Sequence, residues 1–111
     1  MRNRRTSIRF PIFADFNVCV IVSRDVTRTG HRLGVDLADA SAAWVTSTEK
    51  PGRGWLVLGL KPSEDTIAHE AAHAVRHILR YVGARPDDET YAYHLGYLVG
   101  RIHKFLAKQS A

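Results

Sequence analysis

Apolar and β-branched positions fall in short runs through the first half of the chain, broken by glycine, proline and polar residues, and that pattern predicts extended segments. Strands are expected over residues 7–13, 17–24, 43–47 and 55–60, with a weaker one near 32–37; the first and the weak one can equally be one strand or a loop. Between residues 47 and 55 lies Pro51-Gly52, which favours a turn, so the two strands around it should pair as an antiparallel hairpin. From Ser63 the hydrophobic period lengthens to that of helices. Ser63 or Asp65 can cap a first helix that runs through His69, His73 and Val75 toward Val82 and stops at Gly83. Pro86, Asp87, Asp88 and Glu89 suit the first turn of a second helix, expected to reach about Ala107. The expected fold class is α+β, a small antiparallel sheet followed by two packed helices.

Composition narrows this picture. A chain of 111 residues, 45% hydrophobic and 24% charged, has room for one core, so residues 1–111 are expected to form a single domain. Four arginines, Arg2, Arg4, Arg5 and Arg9, crowd the N-terminus of a chain whose formal charge is +5, which leaves the body only mildly basic. Residues 1–9 are therefore expected to be a flexible basic arm. Such an arm could touch nucleic acid or anionic lipid, but without interleaved aromatics it reads first as a solvated tail. Cys19 stands alone, which excludes a disulfide framework and a four-cysteine metal site and fits a reducing compartment. Pro11, Asp15 and Asn17 interrupt any signal-like apolar stretch, and no run reaches the roughly 18 residues of a membrane span. A cytoplasmic protein with no membrane partner is expected.

One constellation carries chemistry: His69-Glu70-Ala71-Ala72-His73. Residues four apart on a helix share a face one turn apart, so two imidazoles can converge on one ion while the glutamate projects beside them. Neutral imidazole suits Zn²⁺ at about 2.0–2.1 Å, with three protein ligands and an open position for water in a catalytic site. Glu70 would then take a proton from that water rather than bind metal. At 100° per residue from His69, His73 falls at about 40° and Glu70 at about 100°, whereas Ile67, Ala71, Ala74, Val75, Ile78 and Val82 fill the far arc.

A third ligand must come from elsewhere. A histidine six positions after His73 is ruled out, because Arg76 and Leu79 stand where a glycine and that histidine would be required. A glutamate from the next helix is the other pattern, and Glu89 is the residue it selects, with Asp88 its substitute and His94 a replacement only if that helix starts later. Ala92, Gly96 and Gly100 recur every four residues and suggest a shallow strip where the two helices approach closely around the ion. Tyr93 and His77 are candidate transition-state helpers, Tyr91 and Tyr97 lie near in sequence, and the strand before the ligand helix could offer a free edge to an extended substrate.

The segments His69-Glu70-Ala71-Ala72-His73 and Glu89-Thr90-Tyr91-Ala92-Tyr93, preceded by Gly54-Trp55-Leu56-Val57-Leu58, resemble the gluzincin class of zinc metallopeptidases, in particular the minimal zincin-like metallopeptidases of bacteriophages and prophages. The resemblance covers about residues 54–100, and residues 1–45 carry no such motif. It implies zinc held by His69, His73 and Glu89, with Glu70 as general base in the hydrolysis of a peptide bond in a protein substrate, in a bacterial host's cytoplasm if the protein is phage-encoded. The alternative is a metal-stabilised binding or regulatory protein of the same fold with little turnover.

Overall fold

The computed structural model describes residues 3–10, 16–38, 40–85 and 87–110. Its elements are β1 (Arg4–Arg9), β2 (Asn17–Val22), α1 (Val26–Arg32), β3 (Ala42–Thr46), β4 (Arg53–Leu58), α2 (Glu64–Tyr81) and α3 (Asp88–Ser110). The strands form one sheet in the order β1-β2-β4-β3. The α+β class holds, with the helical half following the sheet as expected.

The sheet is mixed rather than antiparallel throughout. β3 and β4 form the expected hairpin, with Ala42 opposite Leu58 and Thr46 opposite Gly54, and β1 pairs antiparallel with β2. β2 and β4, however, run parallel, with Asn17 opposite Arg53 and Val22 opposite Leu58. Parallel neighbours need a crossover. That crossover carries α1, in a stretch for which no element was expected, whereas residues 33–37, where the weak strand was expected, are neither strand nor helix. Asp25 caps α1 by accepting the Arg28 N–H at 3.0 Å, and Gly34, at φ +87°, follows the C-cap residue Leu33. The helix ends as the N–H of Gly34 reaches the His31 carbonyl and that of Val35 reaches Gly30.

Two faces of the sheet are covered. Val18, Val20, Leu56 and Leu58 join Ile8, Phe10 and Phe16 in a core with Ile67, Ala71, Val75, Ile78 and Leu79 of α2 and Leu98 and Ile102 of α3. The alternate positions Ile21, Val57, Ala43 and Val45 are also buried, and α1 packs against β3 and β4 with Val26 inside. Strand alternation sends these two sets to opposite faces.

Residues Arg4–Arg9 correct the expectation of a free basic arm, since they form the edge strand β1 with Ile8 buried. β4 lies between β2 and β3, so it has no outer edge to offer a substrate; the edge strands are β1 and β3. Gly54 has a packing reason: a Cβ there would overlap the six-membered ring of Trp44. Arg2, Pro86 and the part of the first expected strand beyond Phe10 lie outside the described residues. No described helix is long and apolar enough to cross a membrane.

Candidate metal centre

α2 is fixed at both ends by its own sequence. The Ser63 hydroxyl accepts the Thr66 N–H at 3.1 Å, and Glu64 and Asp65 occupy the first turn, where the helix dipole favours negative charge. At the other end Gly83 takes φ +70°, and the N–H groups of Gly83 and Ala84 return to the carbonyls of Arg80 and Leu79. Its apolar side is buried, which leaves His69 and His73 exposed on the side away from the core and Glu70 partly buried beside them.

The two imidazoles converge. Their Nε2 atoms lie 3.2 Å apart, with ring centroids 4.7 Å apart and planes near perpendicular at 82°. Two nitrogens each about 2.0–2.1 Å from a tetrahedral ion would be roughly 3.3–3.4 Å apart, so the pair has the spacing that a shared cation requires. Among the described residues, His69, Glu70 and His73 form a group whose ligand atoms all lie within 4.8 Å of one another. The Glu70 carboxylate is therefore at the imidazole pair.

These side chains line an open cleft of about 510 Å³ between α2 and the edge strand β3, with Ala42, Ala43, Trp44 and Thr46 as its other wall. His77 also lines it, one turn beyond His73. Its ring is held by Phe16, edge-on at 5.7 Å between centroids, and by Trp44 at 5.9 Å. Burial, and then the Arg80 guanidinium, push the His77 pKa below the usual imidazole value. His77 is thus favoured as a neutral ring that can donate or accept one hydrogen bond.

Comparison with models of known protein families, with curated proteins and with solved structures finds no match.

Several expected residues do not reach the cleft. Glu89 stands exposed in the first turn of α3 and is not part of the three-residue group. The neighbouring Asp88 shares a different cavity with Arg76, Arg80, Ala84 and Tyr91, which places the start of α3 beside the C-terminal half of α2, past the imidazole pair. Asp88 is turned to that second cavity, and Asp87 is a cap whose carboxylate accepts the Thr90 N–H at 2.8 Å. Tyr93 is 58% exposed, packs edge-on against His94, and is not among the residues lining the cleft. His94 is buried, with Nδ1 at 2.7 Å from the Thr90 carbonyl and its ring stacked on Phe10, so it is a core residue rather than a ligand. Tyr97 donates to the Arg9 carbonyl, and Tyr91 lies under the Arg76 guanidinium.

The small-residue strip also has another role than the one expected. A Cβ at Gly96 or Gly100 would meet nothing within 4 Å, and both glycines are exposed, so the helices do not approach there. α3 meets the core instead through Leu98 and Ile102. Three cleft residues had not been singled out. Arg76 and Arg80 could have been read from the wheel, since they follow His69 and His73 at helical spacing. Trp44 could not, because only the strand order brings β3 beside α2.

Proposed function

We propose that this protein is a zinc-dependent peptidase that hydrolyses a peptide bond in a protein substrate. The observation supporting it is the 3.2 Å approach of the His69 and His73 Nε2 atoms with the Glu70 carboxylate in the same 4.8 Å group, all facing an open cleft. His69 and His73 would hold the ion. A bound Zn²⁺ supplies a Lewis acid for the scissile carbonyl and lowers the pKa of water in the site. Glu70 takes the proton from the attacking water and returns it to the leaving amine. His77 stands at the cleft wall as a neutral hydrogen-bonding group. Among the described residues β3 pairs only with β4, so an extended substrate can add along its other edge and lie beside the imidazole pair.

Purified protein should carry about one zinc per chain, measured by elemental analysis, and the His69→Ala, His73→Ala double variant should carry none. Glu70→Gln should retain the metal and lose about 10²–10⁴-fold in hydrolysis of an unstructured protein such as casein. Metal retained in the double variant ends the reading.

The second reading, a metal-stabilised binding protein with little turnover, is favoured by one observation. Among the described residues no donor beyond Glu70 joins the imidazoles, so this carboxylate is also placed to be a ligand. In that case Glu70→Gln loses metal affinity together with any biological effect.

A further inference from the structure

The cleft beside the imidazole pair is charged differently at its two ends. A hollow of about 290 Å³ that shares Ala42, His69 and Glu70 with it adds Ser41, Asp65 and Thr66 toward the start of α2. At the other end Arg76 and Arg80 line the cleft together with His77, and both arginines are exposed. The ring contact of Trp44 with His77 fixes the direction: β3 runs alongside α2, with Ala42 near Asp65 and Trp44 near the arginines. Arg76 and Arg80 are four residues apart on one helix, so two like charges stand one turn apart and repel each other. Among the described residues neither guanidinium forms an ion pair, although Asp88 shares the adjoining cavity with both. The Arg76 guanidinium rests 5.9 Å from the centre of the Tyr91 ring, a contact that positions the group and satisfies none of its N–H donors.

We infer that the cleft selects peptides that carry a carboxylate on the Arg76 and Arg80 side of the scissile bond. The inference rests on the peptidase reading of the metal centre and names the class of its substrate. A guanidinium matches a carboxylate through two parallel N–H···O bonds, and an anion held between the arginines relieves their repulsion. From the midpoint of His69 and His73 the helix rises about 7 Å to Arg76 and about 13 Å to Arg80, which an extended chain spans in about two to four residues. The opposite end of the cleft decides against other anions. A nucleic acid strand or an anionic lipid surface is negative throughout and would set that charge against Asp65 and Glu70. A peptide can place a carboxylate at one end and a neutral or basic residue at the other. That carboxylate is an acidic side chain or the free C-terminus of the peptide, which present the same two oxygens.

Fluorescence anisotropy on the full chain carrying Glu70→Gln, which binds without turnover, reads this preference. The probes are labelled alanine-glycine heptapeptides: an amidated set with a single Glu at each position in turn, the matching Gln set, and a Glu-free sequence with a free or an amidated C-terminus. One Glu position, or the free terminus, should bind about 5- to 10-fold more tightly than its neutral partner at low salt. The first result marks an acidic side chain and the second the end of a chain. Adding Arg76→Gln, Arg80→Gln replaces two exposed side chains and should bring the ratio to about one, with metal content and circular dichroism unchanged. Adding Arg101→Gln, Lys104→Gln instead removes equal charge from α3 and should leave the ratio as it was. Equal binding of every charged and neutral pair overturns the inference, as does a ratio that survives the loss of Arg76 and Arg80 or falls equally in the α3 variant. It is also overturned if oligo-dT binds more tightly than these peptides and loses that binding in Arg76→Gln, Arg80→Gln. A ratio of one while the parent cleaves casein ends this inference alone; casein left intact by the zinc-loaded parent, with the ratio present, ends the peptidase reading and keeps the charge preference.

Discussion

Gly54 shows how one missing side chain sets the wall of the cleft. The Trp44 indole lies over it, in contact with Phe16 and His77, so the bare backbone of β4 lets the ring close that wall. Gly54→Ala should destabilise the protein by about 1–3 kcal/mol, read from urea unfolding, because a rigid ring rather than a flexible chain end must move. Cys19 belongs to the same scale. Burial raises its thiol pKa, against the opposing pull of Arg5 and Arg53, so its alkylation by iodoacetamide at pH 8 should be slower than that of glutathione. Asp87 gives the acid limb. The backbone N–H of Thr90 is the main cause holding its carboxyl below the ordinary value, so its stabilising effect is full above that value and disappears as pH falls through the lowered one. Asp87→Asn, which still caps but does not titrate, should show a smaller fall in Tm between pH 5 and 2.

At the scale of elements, what could be read in the sequence was what local chemistry decides. Ser63 and Gly83 bracket α2, Pro51-Gly52 sits in the turn of the hairpin, and the imidazole pair follows from helical spacing alone. α1 was equally marked, by Asp25 at its start and Gly34 past its end, but Val26, Thr27 and Thr29 favour extended backbone and Gly30 weakens a helix, which hid it. Tertiary packing settles that segment, since Val26, Thr29 and Gly30 are buried. Glu89 stands outside the group of His69, Glu70 and His73 for a different reason. Cap residues tell where α2 ends, but not which cavity the first turn of α3 faces once the chain has turned back, and Asp88 there lines the one beside Arg76 and Arg80. Glu89→Ala should therefore leave the zinc content unchanged by elemental analysis, in contrast to the His69→Ala, His73→Ala double variant. Loss of metal in Glu89→Ala would show that the start of α3 moves to the ion.

For the whole molecule, the two edges of one sheet carry different chemistry. β3 faces the imidazole pair, and β1 with α3 lines a separate groove whose wall carries Arg101, Lys104 and Lys108. A cation that binds only the folded state raises stability by mass action, so zinc should raise the parent's Tm and leave that of the His69→Ala, His73→Ala variant unchanged.

The parallel pairing of β2 with β4 has a consequence for how the chain reaches this state. Its register sets Asn17 against Arg53, so the middle of the sheet cannot zip up from a local hairpin and must wait for a long loop to close. During synthesis β1 and β2 leave the ribosome well before their central neighbour exists. The order of emergence thus makes the β3–β4 hairpin the piece that completes the sheet, and a nascent chain halted before Leu58 exposes the inner edge of β2 to whatever else is at hand.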